Sequence, residues 1–330
     1  MMDIDLHLLD DFQRDLPLVP QPFAAMGARL GVTEAEVIAR LRHLHQAGRI
    51  ARVGATCRPN TAGASTLAAL SAPEGRIEEV AAIVGAEGGV NHSYLRENAW
   101  NIWFVATAPD QAALAESLSR IEAASGLNVL SLPLVRAFNI DLGFPLEGPR
   151  RSMGLDRPAD EGAIRPGDRE IMQALSSGLA LVPHPFAVLA RDLGRDEAAI
   201  IARIEALSQA RILTRVGVIV RHRALGWREN AMVTWRLPEA EIEDAGRALA
   251  GLPGVTLCYQ RRTVPGLWDW PLFCMIHARS RDEALATLDR ARALPQLHEV
   301  PHQVLFSTRC FRQRGALIAD APTPRKGRAA

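Results

Sequence analysis

VPQPF at residues 19–23 and RVG at residues 52–54 each occur a second time, 163 residues further along the chain, as VPHPF at residues 182–186 and RVG at residues 215–217. Separate motifs that share one offset indicate a duplication, because chance matches would not keep a common spacing. We therefore predict two copies of one module. Residues 146–166 lie between the copies, are rich in Pro, Gly and Arg and lack apolar periodicity, which predicts a linker.

The first part of each module, residues 1–55 and 167–217, is predicted to be mainly helical. In the first copy Thr33 precedes Glu36 by three residues, which is the capping-box pattern of a helix start. Gly48 stands where that helix is expected to end. Apolar residues recur at helical spacing between these signals, at Val37, Leu41 and Leu44. Three helices followed by a short strand predict a winged helix-turn-helix in each copy.

The second part of each module, residues 56–145 and 218–314, alternates strands and helices. Its order in the first copy is strand, helix, two-stranded hairpin, helix and strand, which is typical of a ferredoxin-like βαββαβ domain. The predicted fold class is therefore α+β, a tandem duplication of a winged helix-turn-helix followed by a ferredoxin-like domain. Residues 315–330 end in Pro, Arg, Lys, Gly and Ala and are predicted to be a disordered tail.

The composition bounds the class of protein. The 330 residues are 48% apolar, and 38 basic residues against 37 acidic ones give a net charge of +1, which is ordinary for a folded soluble protein. The four cysteines show no paired metal-ligand spacing and are too few for a disulfide framework, so a reducing compartment fits best. No apolar run reaches the roughly 18 residues of a membrane helix. The acidic N-terminus does not resemble a secretory signal, and we expect a cytoplasmic protein.

The order of the domains resembles that of the Lrp/AsnC transcription factors, in which a winged helix-turn-helix precedes a ferredoxin-like domain that dimerises and can hold a small effector. The charge of the helical parts argues against a DNA-binding role. Residues 1–55 carry six basic residues and seven acidic ones, and residues 168–217 carry six of each. Because neutralisation of phosphates dominates DNA affinity, we do not expect DNA to be the partner.

The only two tyrosines lie at equivalent places in the two copies. Tyr94 and Tyr259 are each followed two residues later by an arginine, Arg96 and Arg261. Residues i and i+2 of a strand face the same side, so each sheet is expected to present a tyrosine and an arginine on one surface, which His92 joins in the first copy. Cross-strand packing would explain the tyrosines. An anionic ligand explains the arginines better.

Histidines distinguish the two copies. RHR at residues 221–223 stands near the start of the second sheet domain, where the first copy has RPN at residues 58–60. His277 likewise stands where the first copy has Thr107. The pKa of imidazole suits proton transfer, and its neutral form suits iron ligation. The copies have therefore diverged into unlike roles.

Tryptophans lie in the hairpin of each sheet domain. Trp100 and Trp103 belong to the first copy, and Trp268 and Trp270 belong to the second. Flat aromatic rings beside several arginines would suit a large planar polyacid. Tryptophan is also an ordinary core residue, so both interpretations remain open.

Several stretches of both sheet domains resemble the sirohaem decarboxylases, which are Lrp/AsnC-like proteins with an enzymatic role in the synthesis of haem d1 and in alternative haem synthesis. HSYLRE at residues 92–97 and NIWF at residues 101–104 resemble one subunit type. Four further stretches resemble the partner subunit type: GVIVRHRALG at residues 217–226, NAM at residues 230–232, CYQR at residues 258–261 and MIH at residues 275–277. The chain thus looks like a fusion of the two subunits. It departs from the family at Trp270-Pro271, where Tyr-Asn is expected, and at Ser93, where asparagine is common.

The resemblance implies a reaction and a set of residues. The family removes CO2 from the acetate side chains at positions 12 and 18 of sirohaem, an iron tetrapyrrole with several carboxylates, to give 12,18-didecarboxysirohaem. No cofactor beyond this substrate is implied, because the protonated macrocycle can itself accept electrons. The implied catalytic residues are His92, His222, Tyr94 and Tyr259, with either histidine as ligand to the substrate iron or as proton carrier. The implied substrate-binding residues are Arg58, Arg96, Arg221, Arg223, Arg261, Arg262, Trp100, Asn101, Trp270 and His277.

Three functions follow from the sequence as alternatives. The chain could be a sirohaem decarboxylase, a DNA-binding regulator that senses a tetrapyrrole or small effector, or a haem carrier without catalysis. Divergent histidines and paired Tyr-x-Arg motifs favour the decarboxylase. Sirohaem is the expected partner, and sister decarboxylase subunits are further candidates. The two copies are expected to pack sheet to sheet within one chain as a pseudo-dimer, from which further oligomers could form.

Overall fold

The computed structural model describes residues 3–140 and 158–319. The helices in these ranges are α1 (Ile4–Asp10), α2 (Pro22–Leu30), α3 (Glu34–Gln46), α4 (Ile77–Ala86), α5 (Gln111–Ser125), α6 (Asp168–Ser177), α7 (Pro185–Leu193), α8 (Glu197–Gln209), α9 (Ile242–Ala250) and α10 (Arg281–Arg292). The strands are β1 (Ile50–Cys57), β2 (Ala64–Leu70), β3 (Val90–Arg96), β4 (Ile102–Ala108), β5 (Leu130–Ile140), β6 (Leu213–Val220), β7 (Glu229–Trp235), β8 (Val255–Arg261), β9 (Leu272–Ala278) and β10 (His302–Gln313).

The helices α1–α3 of the first copy and α6–α8 of the second share one apolar core. The repeated VPxPF motif marks a helix start in both copies, since Pro22 and Pro185 occupy the first turns of α2 and α7, where proline costs no hydrogen bond. The capping prediction is confirmed, because the Thr33 side chain accepts a hydrogen bond from the backbone N–H of Glu36. Local sequence signals therefore determine where these helices begin.

The strand that follows each helix triplet differs from the predicted wing. β1 pairs antiparallel with β6, so each copy contributes one strand to a shared two-stranded sheet. Within the described ranges, neither strand forms a hairpin with another strand of its own copy. β1 extends to Cys57 and β6 to Val220, so the strands continue across the domain boundaries predicted at residues 55 and 217.

The ferredoxin-like halves join into one closed barrel, with strand order β10-β3-β4-β2-β5-β8-β9-β7. The long fourth strand of each half, β5 or β10, joins the sheet of its own half to that of the other half. β5 pairs with β2 and then continues along β8 of the other half, and β10 pairs with β7 and then with β3. The predicted fold class is confirmed, and the two halves face each other within one chain.

Apolar residues divide between the inside and the outside of the barrel. α4 and α5 cover the outer face of the first sheet, and α9 and α10 cover that of the second. A separate cluster from both halves fills part of the interior, including Trp103, Met232, Phe273 and Leu305. The remainder of the interior is open and forms the cavity described below.

Parts of the predicted linker and of the predicted tail pack against the predicted domains. Asp160 N donates to Ala210 O, so part of the predicted linker lies against α8. Leu317 N donates to Thr107 Oγ1 and Ile318 is buried, so the ordered chain reaches beyond the tail boundary predicted at residue 315. The rest of the linker prediction, at residues 146–157, and the rest of the tail prediction, at residues 320–330, lie outside the described residues. Among the described helices, none combines the length and apolar character needed to cross a membrane.

Candidate active site

A cavity of about 370 Å³ lies inside the barrel and reaches the helical layer. The inner faces of both sheets line most of it. β1 and β6 close it on the side of the helices, together with residues 313–318 near the end of the described chain. The cavity is therefore lined by all three parts of the fold rather than by one domain.

The charge of the lining is one-sided. Among the described residues that line the cavity there is no aspartate or glutamate. The arginines of the lining are Arg14, Arg52, Arg58, Arg96, Arg215, Arg261 and Arg314. Positive charges in a concave region of low dielectric attract anions strongly. Guanidinium groups also bind carboxylates through paired hydrogen bonds. The cavity thus favours a ligand that carries several carboxylates.

The two Tyr-x-Arg motifs line the cavity from opposite halves of the barrel. The guanidinium of Arg96 lies over the ring of Tyr94, 5.4 Å from its centroid, and that of Arg261 lies 4.5 Å from the centroid of Tyr259. His92, two residues before Tyr94 on β3, lines the cavity as well. The i, i+2 spacing thus correctly predicted which side chains share a face.

The second half adds two histidines. His222 begins a 3-10 helix directly after β6, and His277 lies on β9. Both rings line the cavity, and they meet edge to face with centroids 4.8 Å apart and planes 77° apart. Arg58, at the end of β1, lines the cavity from the helical side.

Burial sets the protonation of the histidines and tyrosines. Burial, assisted by the charge of Arg52, lowers the pKa of His92 to about 4. Burial also lowers the pKa of His222 to about 4, with Arg223 and His92 adding to the effect. Burial raises the pKa of both Tyr94 and Tyr259. At neutral pH the imidazoles are therefore uncharged and can accept a proton or bind iron, and the phenols keep their protons.

Three sequence-predicted residues of the hairpins lie outside the cavity lining. Asn101 instead anchors the hairpin, because its amide donates to Ala72 O at 2.8 Å and its Oδ1 accepts from Ala72 N at 2.9 Å. Trp100 and Trp270 pack against the apolar interior cluster, which favours the core interpretation of these rings. These three residues therefore do not line the cavity, and their role in substrate binding stays a prediction.

Three predicted arginines also lie outside the lining. Arg221 and Arg262 are exposed, and their backbone N–H groups donate to Arg49 O and Pro133 O. Arg223 is half-buried beside the cavity, close enough for its charge to lower the pKa of His222. Arg221 and Arg262 therefore do not line the cavity, Arg223 lies at its margin, and the substrate-binding role of these three arginines stays a prediction.

Four cavity arginines were missed by the sequence reasoning. Arg14, Arg52, Arg215 and Arg314 lie in the helical layer or near the end of the chain, outside the motifs of the sheet domains. The sequence marks two of these four arginines, because Arg52 and Arg215 are the repeated arginines of the RVG motif. Their repetition indicates duplication, but it also places one arginine from each copy at the shared β1–β6 sheet.

The helices that would read DNA have their arginines engaged within the protein. Arg40 of α3 pairs with Asp5 and Glu36, and Arg203 of α8 pairs with Asp168 at 2.6 Å. The strands that would serve as wings pair with each other. Few charges on these helices remain for phosphate contacts, on which DNA affinity depends.

Comparison with known proteins agrees with this geometry. Residues 5–50 and 168–213 match the family model described as "Siroheme decarboxylase NirDL-like HTH domain", and residues 62–139 and 224–312 match the "AsnC-like ligand binding domain". The siroheme decarboxylase NirDL subunit of Paracoccus denitrificans (strain Pd 1222) is 74% identical over 320 residues, which cover 97% of this chain and 98% of that protein. The chain belongs to the sirohaem decarboxylase NirDL family.

Other NirDL-related proteins match either the whole chain or one copy. A crystal structure of the siroheme decarboxylase NirDL in co-complex with an iron-uroporphyrin III analogue has a TM-score of 0.67 and 25% identity, covering 96% of this chain and 94% of that chain. The siroheme decarboxylase NirD subunit of Stutzerimonas stutzeri is 49% identical over 143 residues, which cover 43% of this chain and 94% of that protein. A relative of about half the length agrees with a fusion of two subunits in this chain.

Proposed function

We propose that the chain is a carboxy-lyase that removes CO2 from the acetate side chains at positions 12 and 18 of sirohaem, giving 12,18-didecarboxysirohaem for haem d1 synthesis. The observation that carries the proposal is the cavity lined by arginines and by no described carboxylate. Sirohaem presents carboxylates around its whole periphery, so it matches a cavity whose positive groups come from several directions. The family relationship supports the same substrate.

Each decarboxylation converts a –CH2–COO⁻ group and one proton into –CH3 and CO2. The bond between the methylene carbon and the carboxylate breaks, and its electron pair stays with the carbon, which then takes the proton. The macrocycle can hold that electron pair in conjugation with the side chain, so we propose no cofactor beyond the iron tetrapyrrole substrate. The protein must bind the remaining carboxylates, position the ring and supply protons.

The lining offers groups for each task. The carboxylates are proposed to bind to four arginines of the lining, namely Arg52, Arg58, Arg215 and Arg261. His92 is proposed to bind the substrate iron or carry a proton. His222 is proposed for the other of these roles, because both rings are neutral and line the cavity.

The phenols of Tyr94 and Tyr259 are proposed to orient the departing carboxylate or to relay a proton. Both keep their protons because burial raises their pKa. Tyr259 lies beneath Arg261, so a carboxylate bound by that arginine would come within reach of the phenol.

Location and partners follow from the same proposal. All four cysteines are free, which fits a reducing compartment, and we propose that the enzyme works in the cytoplasm. Because both halves contribute to one cavity, the chain is proposed to form a site without a second subunit. Sister decarboxylase subunits would then act before or after it rather than complete it.

The test is to incubate the purified chain anaerobically with sirohaem and to measure the mass of the extracted pigment. Loss of two CO2 is the expected result. Loss of one would restrict the chain to a single step, and an unchanged mass with a shifted Soret band would replace the enzyme with a carrier. The Arg52→Gln/Arg215→Gln double variant is the control, since it keeps the histidines and should bind the pigment weakly.

A further inference from the structure

A continuous chain of hydrogen bonds runs from β3 through β7 and β9 to β8. Arg96 Nη2 donates to Asn230 Oδ1 at 3.0 Å, and Asn230 Nδ2 lies 2.8 Å from His277 Nε2. His277 Nδ1 lies 2.7 Å from Thr256 Oγ1, which donates to Met275 O at 3.0 Å. Every bond in this chain joins buried groups.

The donor and the acceptor of each hydrogen bond follow from Arg96, the first residue of the chain of bonds. A guanidinium can only donate, so the amide of Asn230 must turn its oxygen towards Arg96. Its NH2 group then faces His277 and can only donate, so Nε2 of that ring must accept. The proton of the ring is therefore on Nδ1, from which it is donated to Thr256 Oγ1, and the hydroxyl proton of Thr256 goes to Met275 O.

We propose that Arg96 is a positioning residue, which acts through Asn230 to hold His277 as an uncharged imidazole with its proton on Nδ1. The proposal rests on the function proposed above and assigns Arg96 a role other than carboxylate binding. The second terminal nitrogen of its guanidinium agrees with this role, because Nη1 donates to Leu305 O at 2.9 Å. Both ends of the fork are thus held by protein acceptors.

The consequence for the reaction lies at the contact between His277 and His222. The two rings meet edge to face, 4.8 Å apart. A charged His277 would oppose the protonation of His222, because like charges at this distance repel strongly in a buried site. A neutral His277 gives His222 a fixed, uncharged neighbour, so His222 alone can carry the proton on this side of the cavity.

The symmetry-related place in the barrel, which begins at Arg261, lacks this device and supplies a matched control. Arg261 occupies the position equivalent to Arg96 and donates to Leu132 O at 2.8 Å, but no histidine follows it, because Thr107 stands where the second half has His277. Replacement of Arg261 therefore removes a cavity arginine without touching the bonded chain.

The proton position can be measured without substrate. In protein labelled with 15N-histidine, long-range 1H–15N spectra distinguish the two tautomers and the charged ring, and the His277→Gln variant assigns the signal. Wild-type protein and Arg261→Gln should show a proton on Nδ1 alone. Asn230→Asp should place a proton on Nε2, because a carboxylate at residue 230 can only accept from that nitrogen. A wild-type ring protonated on Nε2, or a ring that carries its proton on Nδ1 alone in the Asn230→Asp variant, would overturn the proposal.

Kinetics separate positioning from substrate binding. Arg96→Gln should lower kcat about 10–100-fold, as is usual for residues that orient a functional ligand, with KM changed by less than about threefold. Arg261→Gln should act mainly on KM. A rise in KM with kcat retained in Arg96→Gln would assign this arginine to a substrate carboxylate instead. If the chain proved not to decarboxylate sirohaem, the spectra of the substrate-free protein would still decide the tautomer.

Discussion

Gly54 of β1 pairs directly with Gly217 of β6, and these glycines are the equivalent residues of the RVG repeat. The two copies therefore meet at corresponding residues, as the protomers of a symmetric dimer do. Each glycine also lies against the other copy. A Cβ would lie 2.2 Å from Leu175 O at Gly54 and 2.3 Å from Phe12 O at Gly217. Because Phe12 and Leu175 are themselves equivalent, the requirement for glycine is reciprocal.

Gly54→Ala and Gly217→Ala should each destabilise the protein by roughly 2–4 kcal/mol, because a methyl group at either position would have to displace a backbone carbonyl. The free energy of unfolding in urea measures this. Gly75→Ala is the control, since a Cβ at Gly75 meets nothing within 4 Å. Equal stability of all three variants would contradict the close approach.

The parts of the fold that depend on local signals could be predicted from the sequence. The cap at Thr33 and the helix starts at Pro22 and Pro185 are properties of a few adjacent residues. The pairing of β1 with β6 could not be predicted in this way. A strand pattern shows which face is buried but not which strand is the neighbour, and the neighbour here belongs to the other copy.

The site was predictable to a similar extent. The spacing of Tyr94 and Arg96 fixes their common face, and this was sufficient to place both in the cavity. The motif that contains Asn101 did not show whether its side chain bonds to the backbone of the protein or to a ligand. An asparagine in either role looks the same in the sequence. Arg52 was overlooked because it belongs to the helical part of the module, and its approach to the cavity depends on the β1–β6 pairing.

Arg58 and Arg221 hold the same position in the two copies, but only Arg58 lines the cavity. Arg58→Gln should therefore raise KM for sirohaem about 10–100-fold, the effect of losing a charge-assisted hydrogen bond of about 1.5–3 kcal/mol. Arg221→Gln is the matched control and should leave KM near the wild-type value. Steady-state decarboxylation rates give both numbers, and an unchanged KM in Arg58→Gln would remove Arg58 from the binding set.

The histidines should make stability depend on pH. The pKa of His92 and that of His222 fall from 6.5 to about 4 in the folded protein. Between these values the unfolded chain binds protons that the folded protein does not, so stability is fully present above pH 6.5 and is lost as the pH falls towards 4. Each ring should account for about 1–3 kcal/mol of this loss.

Urea unfolding of the wild type and of His92→Gln at several pH values isolates this contribution, since other titrating groups are common to both proteins. The variant should lose less stability than the wild type between neutral pH and about pH 4.5, where most of the His92 contribution is gone. Parallel curves would mean that His92 is not held neutral by its surroundings.

The last expectation concerns the two histidines in the reaction itself. His92→Gln and His222→Gln should each lower kcat about 10²–10⁴-fold, the usual contribution of a general acid or base, while the far-ultraviolet circular dichroism spectrum stays unchanged. The absorption spectrum of bound sirohaem distinguishes their roles, because loss of an iron ligand shifts the Soret band and loss of a proton carrier does not. His7→Gln is the control, as His7 lies on α1, pairs with Asp11 and does not line the cavity. Normal turnover in both cavity variants, with the spectrum of the bound pigment unaltered, would transfer the proton chemistry to the phenols of Tyr94 and Tyr259.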